Sequence, residues 1–287
     1  MNVLIGIISV IVMIYLVWQY QELKKFQITR YEMTSSKVRK KINMVLISDL
    51  HSFSYGKENR LLFEAVKNVA PDLVLIPGDL IVTAETKKYE ISLRFAQKLC
   101  SLGVPVLFSN GNHESKAALP ESESAFVYEQ YDRQLRQTGV TVLNNKSCEV
   151  SAGGTNVRVS GLELPLSSYK KGRKPCLEKD FLNRQLGEPS KEHLQVLLAH
   201  HPAFAAQYAK WGADLTVCGH NHGGLVCIPG IGSVISPQFV PFPKYDAGEF
   251  TVDDRKIFIS RGLGTHTFHI RVFNRAELVV ITVKPEK

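Results

Sequence analysis

Between residues 49 and 222 the chain carries five short blocks of oxygen and imidazole donors. They are Asp49 and His51 in SDLH, Asp79 in PGDL, Asn112 and His113 in NGNHE, His200 in LLAHHP, and His220 and His222 in GHNHGG. Carboxylate, amide oxygen and imidazole suit Mn²⁺, Fe or Zn²⁺, whereas a closed structural zinc site would want thiolates. Two such ions about 3.5–4 Å apart can share a water, lower its pKa toward neutrality, and neutralise a phosphoryl group under in-line attack by the bridging hydroxide. Each block alone has a plainer reading: a helix cap beside a surface histidine, a Gly-Asp turn, or a lone satisfied histidine. Their joint occurrence is harder to dismiss, because five of the nine histidines in the chain follow a predicted strand end.

The elements that must position these groups are short apolar runs bounded by turn residues. The runs Met44 to Ser48, Leu73 to Pro77, Val104 to Ser109, Val157 to Ser160, Gln195 to Ala199 and Leu215 to Cys218 read as strands. Between the first two, Leu61, Leu62, Ala65, Val66 and Val69 recur at helical spacing, and Pro71-Asp72 ends that helix. The resulting β-α-β unit indicates layered α/β construction, which places ligands beyond the carboxyl ends of strands. Near the end of the chain, Glu249 to Val252, Lys256 to Ser260 and Glu277 to Val283 read as antiparallel strands, the first two joined through Asp253-Asp254-Arg255.

With the blocks D-x-H, G-D, G-N-H-E, H and G-H-x-H in this order, the chain resembles the calcineurin-like metallophosphoesterase superfamily over residues 42 to 287. The later stretches FPKYDAGEF and SRGLGT look like the membrane-associated branch that contains phosphodiesterases related to UDP-2,3-diacylglucosamine pyrophosphatase. The resemblance implies a four-layer α/β (α+β) sandwich of two mixed β-sheets flanked by helices. It further implies two divalent metal ions, one held by Asp49, His51 and His222, the other by Asn112, His200 and His220, with Asp79 bridging both. His113 is then left over from ligation and is the candidate to stabilise the transition state or protonate the leaving oxygen. Glu114 either holds the other ring nitrogen of His113 or is a helix-start carboxylate. His201 is excluded as a ligand because neighbours on an extended strand point oppositely, and the family's L-x-H spacing selects His200. Arg261 in SRGLGT reads as a surface residue, with a substrate-phosphate contact as the alternative. The expected reaction is hydrolysis of a phosphodiester or pyrophosphate bond, with a nucleotide-linked lipid as the favoured substrate class. A phosphomonoesterase and a non-catalytic scaffold are the alternatives; the scaffold predicts missing ligands, and none is missing.

Charge and hydropathy locate the molecule. Of the formal +8, the stretch 21 to 41 contributes +5 and residues 42 to 287 only +3, too slight an excess for a nucleic-acid groove. The five cysteines are scattered with no C-x-x-C pair, so neither a disulfide framework nor a zinc ribbon is indicated. The run VLIGIISVIVMIYLVW has no charged residue until Glu22, enough uncharged helix to cross the roughly 30 Å hydrocarbon of a bilayer. Residues 1–20 are therefore expected to be a transmembrane anchor embedded in membrane lipid, with a cleaved signal as the alternative, and 21–41 a basic juxtamembrane tether. Basic residues directly after the span place the catalytic domain in the cytoplasm by the positive-inside tendency, on a single-pass protein of the cell membrane. No obligate protein partner is indicated. Phe239, Phe242 and Tyr245 in SPQFVPFPKYD form either an apolar entrance for a lipid-linked substrate or ordinary loop packing.

Overall fold

Alternation of apolar side chains along the strands generates four layers. In the computed structural model, which describes residues 2–173, 175–224, 226–228, 230–265 and 269–286, the first sheet has the order β1 (Phe26–Ser35), β14 (Ala276–Pro285), β2 (Ile42–Leu46), β3 (Leu73–Ile76), β4 (Val106–Phe108), β5 (Thr141–Val142). The second runs β12 (Gly248–Val252), β13 (Arg255–Ile259), β9 (Leu215–Cys218), β8 (Leu194–Ala199), β7 (Thr155–Leu162), β6 (Lys146–Ala152). A separate ribbon pairs β10 (Val226–Ile228) with β11 (Gly232–Ile235). The helices are α1 (Asn2–Leu23), α2 (Arg60–Val69), α3 (Tyr89–Cys100), α4 (Asn112–Ala117), α5 (Ala125–Gln137), α6 (Phe181–Leu186) and α7 (Ala205–Trp211).

Successive strand residues point to opposite faces. Met44, Leu46, Leu73 and Leu75 of the first sheet meet Val196, Leu198, Leu215 and Val217 of the second in a core between the sheets. Val45, Val74 and Ile76 face the other way, onto Leu62 and Val66 of α2, Phe95 of α3 and Leu135 of α5. Leu197 and Ala199 cover the outer face of the second sheet against Leu182 of α6 and Tyr208 of α7. This is the expected sandwich of two mixed sheets flanked by helices. The strands named from sequence form to within a residue or two, and the turn between β12 and β13 is Asp253-Asp254, both at positive φ as a tight hairpin requires.

Two expectations need correction. Residues 21–41 are not a tether: β1 pairs in parallel with β14 along its whole length, from Phe26↔Ala276 to Ser35↔Pro285. Buried Met33, Val38 and Ile42 draw this segment into the core between the sheets, so the folded domain begins at Phe26 rather than at 42. Of the segment's seven basic residues only Arg30 lies within the edge strand β1, and the others flank it. The final strand also leaves the company of β12 and β13. It crosses to the first sheet, antiparallel to β2 (Val279↔Leu46, Val283↔Ile42), because its length and two-faced apolar pattern suit a central position.

The topology fixes which edge is which. Strands β2, β3 and β4 are mutually parallel, and β14 and β1 run against them. The amino ends of β14 and β1 therefore lie at the same sheet edge as the carboxyl ends of β2, β3 and β4.

Candidate metal centre

That edge gathers all eight residues singled out from the sequence. Asp49 and His51 follow β2, Asp79 follows β3, and Asn112 and His113 open α4 after β4. From the second sheet, His200 follows β8, and His220 and His222 follow β9. Three groups converge with donor atoms within 4.8 Å of one another: Asp49 with His51 and His222, Asp79 with His200 and His220, and His51 with Asp79 and His113.

Local backbone geometry explains the residue types around them. Asp49, His51, Asp79, His220 and His222 all adopt positive φ, between 50 and 68°. Non-glycine residues take this conformation at a cost, and such strain collects where surrounding structure holds a functional side chain in place. The glycines of the motifs allow close approach: a Cβ on Gly111 would overlap Asp79 Oδ1, and one on Gly219 would overlap Ser48 Oγ and Asp49 Oδ2.

Hydrogen bonds then aim each donor. Asp49 accepts from Ser48 Oγ at 2.6 Å and from the His220 N–H at 3.0 Å. Asp79 Oδ1 accepts the His113 N–H at 2.9 Å, so its Oδ2 faces His200 Nε2 at 3.1 Å. His200 Nδ1 contacts the Pro77 carbonyl at 3.1 Å and His51 Nδ1 the Ile81 carbonyl at 3.3 Å. A carbonyl only accepts, so both Nδ1 atoms carry the proton and both Nε2 lone pairs point into the centre. His51 Nε2 lies 3.1 Å from His222 Nε2, which is 3.4 Å from Asp49 Oδ1.

Electron-rich atoms thus face one another across the site, as donors converging on cations would. Among the described residues, the buried polar atoms lacking any hydrogen-bond partner include Asn112 Oδ1, His200 Nε2 and His220 Nε2, all at this one place. Leaving three such polar atoms unpartnered is costly, and a bound cation would satisfy their lone pairs. The donor set therefore fits divalent metal. Burial drives the electrostatics in its absence. It raises Asp49 to about 6 and Asp79 to about 7, and pushes His200 and His220 below the ordinary histidine range.

His113 stands apart in its hydrogen bonding. Its Nδ1 lies 3.1 Å from the backbone N–H of Thr83 and 3.1 Å from Thr83 Oγ1. The backbone N–H only donates, so Nδ1 is the acceptor and Nε2 carries the proton in the neutral ring. Glu114 does not hold this ring. Its carboxylate accepts the N–H groups of Asp79 at 2.9 Å, Gly111 at 3.0 Å and Ile81 at 3.2 Å, tying β3's loop to the start of α4. Of the two expected roles, the helix-start carboxylate is the one found.

His201 is turned away, as expected, with Nε2 2.9 Å from Gln238 Oε1 and Nδ1 accepting from the Ala203 N–H. Arg261 reaches Asn274 Oδ1 at 3.2 Å and does not line the cleft over the donors. Sequence reasoning missed four supporting residues. Thr83 fixes His113, and Tyr169 packs edge-on against His220 at 5.0 Å. Asn274 Nδ2 donates to the His222 carbonyl, and the buried Arg271 guanidinium donates to the carbonyls of Arg261, Gly262, Gly264 and Asn274. None lies in a motif. A buried arginine and asparagine late in the chain carry no local signal of the loop they brace.

A family model for calcineurin-like phosphoesterases matches residues 42–224. The chain is 26% identical over 248 residues to the uncharacterized metallophosphoesterase YkuE of Bacillus subtilis, covering 84% of this chain and 78% of that protein. It is 24% identical over 249 residues to the phosphodiesterase YaeI of Escherichia coli, covering 83% and 80% respectively. Among solved structures, the phosphopantetheinyl hydrolase of Mycobacterium tuberculosis overlays 77% of this chain and 89% of its own, at 13% identity and a TM-score of 0.45, too loose to inform activity.

Proposed function

The chain belongs to the calcineurin-like phosphoesterase family and is a metal-dependent hydrolase, and from that premise we propose that it cleaves a phosphodiester or pyrophosphate bond. In this reading Asp49, His51 and His222 hold one divalent ion, Asn112, His200 and His220 hold the second, and Asp79 serves both. The observation that carries it is the convergence of three partnerless buried polar atoms, Asn112 Oδ1, His200 Nε2 and His220 Nε2, beside the Asp79 carboxylate. Two divalent ions there would supply a water of lowered pKa and charge neutralisation for the phosphoryl oxygens.

The chain's own residues do the rest. Asp49 and Asp79 are held in fixed orientation by Ser48, His220 and His113 N–H groups or hydroxyls, so little reorganisation accompanies substrate binding. His113, with its Nδ1 engaged by Thr83, presents Nε2–H as a donor to a phosphoryl or leaving-group oxygen. Lys171 on the cleft wall adds a positive charge for an anionic substrate.

A diester is favoured over a monoester by the likeness to a phosphodiesterase. The helix Leu4–Leu23 is long and apolar enough to cross a membrane. It supports anchoring and a lipid-linked substrate such as a nucleotide-linked lipid, with Lys24 and Lys25 favouring a cytoplasmic domain. Mn²⁺, Fe and Zn²⁺ all suit the donors. The test is a rate comparison of phosphate monoesters, diesters and UDP-linked lipids with Mn²⁺ supplied to the full chain. Faster diester or pyrophosphate hydrolysis supports the reading; monoesters as the best substrates would replace it with a phosphomonoesterase.

A further inference from the structure

Helix α1 arrives at the catalytic edge of the sheet. The chain leaves α1 at Leu23 and enters β1 at Phe26, and that end of β1 lies beside the carboxyl ends of β2, β3 and β4. The helix is also bolted there. Gln19 Nε2 donates to the Arg271 carbonyl at 2.9 Å, the Arg271 N–H donates to Gln19 Oε1 at 3.1 Å, and Glu22 pairs with Arg275. Gln19 and Glu22 are buried while the apolar residues before them are exposed. Gln19 lies four residues before the helix end, roughly 6 Å along the axis. The loop 269–275 therefore sits about one helical turn from where α1 ends, and Ile270 and Arg271 of that loop form part of the wall of the cleft over the metal donors.

Around this point the surface is apolar. Ile228, Ile231, Phe239, Phe242, Ile270 and Phe273 are 41 to 69% exposed. They are joined structurally, not scattered. The Cys227 N–H donates to the Val272 carbonyl at 3.1 Å and the Phe242 N–H to the Val234 carbonyl at 3.0 Å, while Ile228, Ile231, Phe242 and Phe273 line one depression. Basic groups edge it: Lys171 lies over the Phe239 ring at 4.9 Å, and Lys244 over Tyr245 at 5.1 Å. The nearby Asp246 carboxylate is engaged by the N–H groups of Ser233 and Ala247.

We infer that this rim lies in the bilayer interface, so that the mouth of the catalytic cleft faces the membrane and receives phosphoester head groups of amphiphilic substrates from the lipid surface. The inference rests on the anchored-phosphoesterase reading and extends it from the helix to the catalytic face. Exposed aromatic and aliphatic side chains with basic neighbours are what an anionic lipid surface binds, through apolar insertion to the headgroup boundary and attraction of the lysines. A rim continuous with the end of the helix needs no rearrangement to reach that depth.

The experiment uses the full chain in vesicles of phosphatidylcholine and phosphatidylglycerol, with and without bromine on the phosphatidylcholine acyl chains. Tryptophan is introduced singly as Ile231→Trp, Phe273→Trp or, as control, Gln137→Trp, exposed at the end of α5 where the chain turns into the opposite edge of the first sheet. Each is read as the increment over the parent, whose Trp18 and Trp211 set the baseline. Both rim positions are expected to lose roughly half or more of their added fluorescence to bromine, and Gln137→Trp little. Rim positions quenched no more than Gln137→Trp would overturn the inference. Absent quenching of the parent's Trp18 would separately remove the anchor. Absent diester hydrolysis would remove the activity, leaving the rim result to stand by itself.

Discussion

Glu114 accepts the backbone N–H of Asp79 at 2.9 Å, holding the proposed bridging carboxylate through the chain rather than through its side chain. The same carboxylate takes the N–H groups of Gly111 and Ile81, so one acidic residue closes the gap between the loop after β3 and the first turn of α4. A second-layer group of this kind sets where the donors stand without touching what they bind.

Replacing Glu114 by alanine leaves these buried N–H groups without acceptors. The expected cost is about 2–4 kcal/mol of stability, with weaker metal binding as the Asp79 loop relaxes. Glu114→Gln keeps one acceptor oxygen and should lose less. Thermal melts and metal titration of both variants check this; an alanine variant with parental melting temperature and metal affinity would show that the bonds are dispensable.

His113→Asn should keep metal and lose turnover by roughly 10²-fold or more, as removal of a general acid does. Thr83→Val removes the hydroxyl but keeps the backbone N–H that sets the His113 tautomer, so its activity should fall by less than about tenfold. Metal analysis alongside the rates is decisive. Because His113 also clusters with His51 and Asp79, a His113→Asn protein that loses metal would make His113 a ligand instead.

Asp79→Asn should lose most of the bound metal, since the two ions would share this carboxylate. Purified parental chain is expected to carry close to two equivalents, measured by elemental analysis after exchange into Mn²⁺. Unchanged metal content in the variant would remove Asp79 from the bridging position.

The metal-free protein should weaken as pH rises above 6.5. Burial raises Asp49 to about 6, Asp79 to about 7 and Glu114 to about 8. The folded chain thus retains protons that the unfolded chain has already released, and stability falls as pH rises through these values. Below the ordinary histidine pKa of 6.5 the opposite slope enters. There the unfolded chain protonates His200, His201 and His220, while burial keeps them neutral in the fold. Divalent metal displaces the carboxyl protons, so its stabilising effect should grow from pH 6.5 to 8. Melting temperatures with chelator and with Mn²⁺ across this range test it; a metal-free melting temperature that climbs steadily to pH 8 would contradict the assignment.

The donor set was legible in the sequence because each donor sits a few residues beyond a short apolar run, and both run and donor are local features. The two-sided burial of β3, β8 and β9 likewise appears as continuous apolar sequence. Register and company were not legible. Nothing near Phe26–Ser35 announces that it pairs with Ala276–Pro285 about 250 residues away, and its charges, typical of an edge strand, read equally well as a solvated linker. Nor could Thr83 be matched to His113, or Glu114 to the Asp79 N–H, because those pairings arise where parallel strands end side by side after separate crossovers. The sequence by itself determined which chemistry the chain holds. Only the tertiary structure decided that the apolar helix meets the sheet at its catalytic edge, because strand direction, which turns β14 and β1 against β2, is a property of the assembled sheet and not of any segment in it.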